Sequence, residues 1–469
     1  MLSLKDNVIY GSGNFTYGVT VQVLATYLVF YGTAILGLPG SIVGMIIAIS
    51  VVWDAISDPL MGYISDTTKN KYFGRRHLYM IIGALGLSIF NALLWRIDGG
   101  MSKNSKMIFL LLFVVLIKTF MTVFATPYNA LGAELTEDYH ERTAIQAYRT
   151  VFFSLGLAFT TVIGMFVFFK STDMYPIGQL NPSAYANLGL TISILVIVFS
   201  LVSIVGTFKF IPNLPAINKS EKRDIKKLIH GFKHIFNNKN YLYVICAYLS
   251  GNIATAILGS MGLHVFTYTF NMNNNEIGYL FAVIFSLSVL MQPFWYKITT
   301  KYDKKQGALI AVAFILFGSL MFVLMVINRE LIREHGKIVL LYAVFSGIGF
   351  GGLITIPFSM VADTIDEGEL TSGSRAEGLY YGGLTFSYKI SQSFAIFLLG
   401  IILDIIKFDS SLEVQSESTI MLLGIITAIG IIIALLFALY FYNKYALTKE
   451  KAEEIKKLLK LKVSESNEN

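Results

Sequence analysis

The sequence predicts an all-α, polytopic membrane protein of twelve transmembrane helices in two six-helix bundles. Three observations lead there. The 469 residues are 55% hydrophobic and only 14% charged, with a mean hydropathy of +0.63; soluble domains carry about 25% charged residues. Apolar windows such as Leu188–Phe208, Ile338–Ala362 and Ile420–Tyr440 reach the roughly 20 residues a helix needs to cross a bilayer. The basic residues collect in alternate connections, as they do on the cytoplasmic side of membrane proteins.

Reading apolar windows against polar breaks places the spans near 9–37, 41–65, 77–95, 107–133, 144–169, 187–211, 241–269, 275–299, 307–327, 338–365, 377–404 and 418–444. The connection at 66–76 holds Lys69, Lys71, Arg75 and Arg76. The long one at 212–240 holds seven lysines and arginines, and Lys301, Lys304 and Lys305 follow the eighth span. With those connections inside, both termini are cytoplasmic. The net charge of +7 is then accounted for at the membrane face, and no nucleic-acid partner is implied. The expected organisation is a bundle at 1–212, a basic cytoplasmic loop at 213–240, a second bundle at 241–445 and an amphipathic cytoplasmic tail at 446–469. That tail is expected to lie on the membrane face.

A single cysteine, Cys246, excludes an internal disulfide and supplies no metal-ligand set. The N-terminal "MLSLKDNVIYGSGNF" lacks a basic n-region and a cleavage site, so the first span is expected to be retained. The halves echo each other: "DPLMGYISDTTKNKYFGRRHLYM" follows the second span and "QPFWYKITTKYDKKQGALIAV" the eighth. Six plus six helices joined by a basic loop is the layout of parallel-repeat secondary transporters. No nucleophile–base pair or metal constellation near the bilayer points to an enzyme, and no cofactor is expected.

Three patterns do not carry function. "GIGFGG", with Gly347, Gly349 and Gly352 in G-x-G-x-x-G spacing, lies inside an apolar span without the strand–turn–helix context of a dinucleotide site; small residues there let helices pack closely. Asn14 and Asn218 begin glycosylation sequons by pattern only. His230 and His234 have helical metal-pair spacing but no third ligand in sequence.

The informative stretch is "WDAISDPLMG", Trp53–Gly62. Asp54 and Asp58 share a helix face one turn apart. Each ionised acid near the bilayer centre costs on the order of 3 kcal/mol, and two side by side repel unless a cation sits between them or one is protonated. Two carboxylates with a hydroxyl nearby, here Ser57, suit a monovalent cation. A structural pair held by a buried lysine or arginine is the other reading.

"WDAISDPLMGYISDTTKNKYFGRR", "TPYNALGAELTEDYHERTAIQAYR" and "MVADTIDEGELTSGSRAEGLYYGGLTFSYK" resemble signature regions of the glycoside–pentoside–hexuronide:cation symporters, the melibiose-permease branch of the major facilitator superfamily. Gly62, Asp66 and Gly74-Arg75-Arg76 are also similar to that superfamily's cytoplasmic loop motif. The resemblance implies a cation-coupled symporter in the cell membrane, importing a sugar, glycoside or uronide with sodium, lithium or protons. The animal lysolipid symporters belong to the same clan, and a sensor of this fold that has lost transport is a further alternative. By resemblance the cation site comprises Asp54, Ser57, Asp58 and Thr122, and Arg149 and Lys389 fall at central-cavity positions. Tyr17, Tyr128, Asn129, Tyr381, Thr385 and Tyr388 complete the expected substrate set. A cation flanked by aromatic rings suits a hydroxyl-rich or anionic ligand; equally, Arg149 and Lys389 could neutralise Asp54 and Asp58. Asp66, Arg75, Arg76, Arg142, Asp363, Asp366 and Arg375 are expected to form an ion-pair gate at the cytoplasmic edge.

The chain departs from the sugar pattern where melibiose-type members bond sugar hydroxyls with acids. Gly18 and Ala125 stand at those positions, and Asn129 replaces a stacking tryptophan. The expected substrate is therefore anionic or amphiphilic, carried with a monovalent cation by a monomer in contact with membrane lipid.

Overall fold

The computed structural model describes residues 3–68, 70, 72–136, 139–213, 235, 237–372, 377–409, 412 and 415–468. Two compact units result. One contains 1–219 with 259–279 and 396–419; the other contains 220–258, 280–395 and 420–469.

In the first unit, α1 (Leu4–Phe30), α2 (Gly40–Thr67), α3 (His77–Leu94), α4 (Lys103–Glu134), α5 (Tyr139–Ala158) and α6 (Pro182–Thr207) follow in order. The first starts earlier than apolar character alone predicts because Ser3 and Asp6 form a capping box, each side chain bonding the other's backbone amide. Wide π turns extend α1 over Tyr31–Ile35 and α5 over Phe159–Phe168. Asp404 caps α2 from far along the chain: its carboxylate accepts from the Gly40 amide at 2.7 Å and the Ser41 amide at 3.1 Å, satisfying donors that a helix start leaves open.

The remaining helices are α7 (Lys239–His264), α8 (Asn274–Leu290), α9 (Gln292–Lys301), α10 (Lys304–Ile327), α11 (Arg329–Glu334), α12 (Val339–Ser372), α13 (Glu377–Ile405), α14 (Glu417–Lys444) and α15 (Lys449–Glu468). Among the described residues eleven helices are long and apolar enough to cross a membrane, or twelve if α8 and α9 form one span. The expected continuous helix at 275–299 is bent by 42° between them. Pro293 is the reason: it has no N–H to continue the ladder and its ring crowds the preceding turn. Helix α12 runs on through the acidic "DTIDEGE" stretch expected to end it. The tail helix α15 packs on α12, burying Ala452 and laying Ile455 on the second unit's core.

Polarity is inverted relative to a soluble protein. Along α2, Met45, Ile49, Val52, Ile56 and Leu60 are exposed at helical spacing, whereas Ser50, Asp54, Ser57 and Ser65 are buried. Apolar groups can face lipid without cost, so the interior is where polar side chains meet partners. The first unit's core shows the consequence. Tyr10 and Tyr128 stack with centroids 4.6 Å apart, and each hydroxyl donates to the other's backbone carbonyl, at 2.7 and 2.8 Å. In the second unit the glycines of "GIGFGG" do pack helices: a Cβ on Gly349 would lie 2.5 Å from the Ala311 carbonyl oxygen of α10.

Candidate cation and substrate site

Away from helix ends, α1–α6 carry four charged side chains: Asp54 and Asp58 on α2, Lys118 on α4 and Arg149 on α5. Both acids sit one turn apart on α2, and Lys118 and Thr122 have the same four-residue spacing on α4, so the two rows can meet rung to rung. They do. Lys118 Nζ lies 3.1 Å from Asp54 Oδ2, and Thr122 Oγ1 donates to Asp58 Oδ1 at 2.6 Å. Asp54 is 1% exposed and Thr122 3%, while Lys118 and Asp58 are half-buried, so water screens these contacts only in part. Beside them, Trp53 Nε1 donates to Thr119 Oγ1 at 2.8 Å, fixing the rotation of α2 against α4. Ser57 is buried, and its Oγ has no hydrogen-bond partner among the described residues. Pro59 withdraws one amide from the α2 ladder next to Asp58.

The expected cation residues Asp54, Ser57, Asp58 and Thr122 therefore lie on facing helices, two carboxylates and two hydroxyls in a largely dry setting. The counter-cation seated on Asp54 is Lys118, a residue that motif spacing does not single out. A signal for it was present: one lysine interrupts the apolar run "LLLFVVLIKTFMTVF", and an ionisable residue inside a span is a functional hypothesis by default.

Arg149 is placed by α5 against the tyrosine core. Its guanidinium lies over the Tyr128 ring, 5.2 Å from the centroid, donates to Gln146 Oε1 at 3.0 Å and bonds Asn129 Oδ1. Asn14 Nδ2 holds its backbone carbonyl at 2.9 Å. Among the described residues these partners are neutral, so the positive charge is oriented but not cancelled by them. Tyr128 itself is only 1% exposed; its role here is to carry Arg149 on its ring face, whereas Asn129 is exposed. Tyr17 is half-buried and its ring lies 5.9 Å from that of Phe153.

Gly18 has a steric reason to lack a side chain. A Cβ there would lie 2.5 Å from the Phe153 carbonyl oxygen, and one on Gly156 would lie 2.8 Å from the Val19 amide. Helices α1 and α5 touch backbone to backbone at this point, leaving no room for the acid that melibiose-type members carry.

In the second unit α13 presents the other expected substrate residues. Thr385 is exposed and its hydroxyl donates to the Tyr381 carbonyl at 3.1 Å. Tyr381 stacks on Phe358, centroids 6.3 Å apart, and Tyr388 lies against the apolar core. Lys389 is half-buried one residue further on.

Of the expected gate, Arg75 and Arg76 converge on one acid that sequence reading passes over, Glu134 at the end of α4. They approach its Oε1 at 2.8 and 2.6 Å, and Arg76 also donates to Ser65 Oγ at 2.7 Å. Gly74, with φ +60°, makes the turn that aims both arginines the same way. In the second unit Asp363 is 3% exposed and pairs with Lys304 at 2.6 Å; Asp366 is half-buried. The side chains of Asp66 and Arg142, and all of Arg375, Asn218, His230 and His234, lie outside the described residues.

Comparison with known proteins agrees with this architecture. Residues 9–449 match a family described as MFS/sugar transport protein. The chain is similar to the inner membrane symporter YicJ of Escherichia coli, at 25% identity over 96% of this chain and 93% of that one. It is also similar to the sodium-dependent lysophosphatidylcholine symporter 1 of Xenopus tropicalis, at 24% identity over 99% and 91%. In fold it resembles the crystal structure of a D-xylose–proton symporter, with a TM-score of 0.63 at 13% identity, covering 93% of this chain and 97% of that one. Helical spans, inverted polarity and a family match over almost the whole length lead to one conclusion: the chain belongs to the MFS sugar transport family and is a multi-pass membrane transporter, not an enzyme.

Proposed function

We propose that this transporter is a cation-coupled symporter that imports an anionic sugar derivative, such as a uronide or charged glycoside, by alternating access, with both termini in the cytoplasm. The observation that carries the coupling half is the dry α2–α4 cluster, in which Asp54, Ser57, Asp58 and Thr122 offer four side chains with oxygen ligands to a monovalent ion. Coupling follows if the ion bound there favours the conformation that holds substrate, so that neither crosses efficiently alone.

The substrate half rests on charge. Midspan in α1–α6, Asp54 and Asp58 balance Lys118 and Arg149 in formal charge; one bound monovalent cation leaves a positive excess. Arg149, held by neutral partners, is the group that would meet an anion. A second reading has a specific observation behind it. The α1–α5 contact at Gly18 removes a position from which sugar hydroxyls would be read, which favours an amphiphile with an anionic headgroup, such as a lysolipid.

Uptake into proteoliposomes decides among these, using matched neutral and anionic glycosides and a lysolipid under imposed sodium, lithium or proton gradients. The proposal expects gradient-driven uptake of the anionic glycoside, lost in Asp58→Asn. Faster transport of the neutral glycoside would sink the charge argument. Gradient-driven uptake unchanged in Asp58→Asn would remove the α2 acids from coupling.

A further inference from the structure

An ammonium already occupies half of the cation site. Lys118 Nζ sits on Asp54 Oδ2 at 3.1 Å, with its side chain 18% exposed, while Asp54 is all but sealed. The neighbouring rung is of another kind: Asp58 takes a hydroxyl, Thr122, at 2.6 Å, and the buried Ser57 Oγ alongside has no hydrogen-bond partner among the described residues. One carboxylate thus carries a cation covalently tied to α4, and the other accepts a hydroxyl from the same helix.

We propose that Lys118 is a tethered cation that competes with the coupling cation for Asp54, and so sets the affinity of the site. This rests on the reading of Asp54, Ser57, Asp58 and Thr122 as the coupling site. The chemistry suits the role. A lysine ammonium is a compact point charge on a flexible four-carbon stem, able to leave Asp54 without disturbing the helix, whereas a fork-shaped guanidinium would be held by geometry. For the coupling cation to bridge both acids, Lys118 must withdraw from Asp54. Part of its binding free energy is therefore spent displacing an existing ion pair, and removing the lysine returns it.

Binding of radioactive sodium to the purified full-length chain in lipid nanodiscs provides the test, with wild type, Lys118→Met, Lys118→Arg and Lys118→Met/Asp58→Asn compared. Lys118→Met should bind sodium about ten-fold more tightly than wild type. A larger change is not expected, because attraction and desolvation in a buried pair largely cancel. Lys118→Arg keeps the charge but holds Asp54 by its fork, so it should bind sodium more weakly than wild type, and the double variant should lose binding. Equal or weaker binding by Lys118→Met, with wild type still binding, overturns the competition and leaves the cation site standing. Absence of sodium and lithium binding in every variant overturns the cation site itself, and this inference with it. Should Lys118→Met fail to fold, acylation of lysines in the wild-type chain carries the test. Sodium, compared with choline, should raise labelling of Lys118 severalfold relative to Lys106; unchanged labelling refutes displacement.

Discussion

Thr122→Val is the most direct probe of Asp58. The substitution keeps side-chain shape and removes the hydroxyl that donates to Asp58 at 2.6 Å. Thr122 is 3% exposed, so water has no ready route to replace the lost donor. A hydrogen bond to an ionised acceptor contributes about 1.5–3 kcal/mol, and each 1.4 kcal/mol or so is about ten-fold in affinity. On the proposed reading the ion also loses an oxygen ligand. Half-saturating sodium or lithium for substrate uptake should therefore rise by roughly 10- to 100-fold. Thr122→Ser, which retains the hydroxyl, should stay within a few-fold of wild type. Titrating each cation against initial uptake rates, with transporter amounts matched, measures both. A wild-type cation dependence in Thr122→Val would show that the α4 hydroxyl plays no part in coupling.

Other substitutions test the remaining contacts. Glu134→Gln leaves Arg75 and Arg76 without their shared acid; removing one partner of a buried pair costs about 3–5 kcal/mol, so thermal unfolding in detergent should begin at clearly lower temperature, and an unchanged transition would mean the pairs contribute nothing. Gly18→Ala places a methyl 2.5 Å from the Phe153 carbonyl oxygen; overpacking of this kind costs about 1–3 kcal/mol, and Gly18→Asp should fail to create neutral-sugar uptake. Arg149→Gln should weaken binding of an anionic glycoside by about ten-fold or more while leaving its neutral counterpart little changed, measured by competition for uptake. Asp404→Ala removes both acceptors at the start of α2 and should destabilise the chain by about 1 kcal/mol, read as a modest fall in melting temperature.

The fold was legible because lipid imposes a simple rule on every span. A helix satisfies its own backbone and needs only enough apolar length, and that length is a local property of sequence. The same rule made Asp54 and Asp58 conspicuous. It misplaced the eighth span's continuity, since hydropathy passes smoothly across Pro293 while the backbone ladder does not. It also did not reveal that the tail packs on α12, because an amphipathic helix looks the same whether its apolar face meets lipid or another helix.

Sequence by itself determined that two acids share one face of α2, that hydroxyls and a lysine lie on α4, and that Gly18 carries no side chain. Only the tertiary structure decided which charge meets which. Lys118 rather than Arg149 is seated on Asp54, Glu134 gathers Arg75 and Arg76, and Tyr128 supports Arg149 from the core instead of lining an open surface. The reason is geometric. Spacing along one helix sets which residues share a face, but the partner across the interface depends on the rotation and register of a second helix. Those are set by contacts distributed along its whole length, such as Trp53 on Thr119 and Gly18 against the α5 backbone.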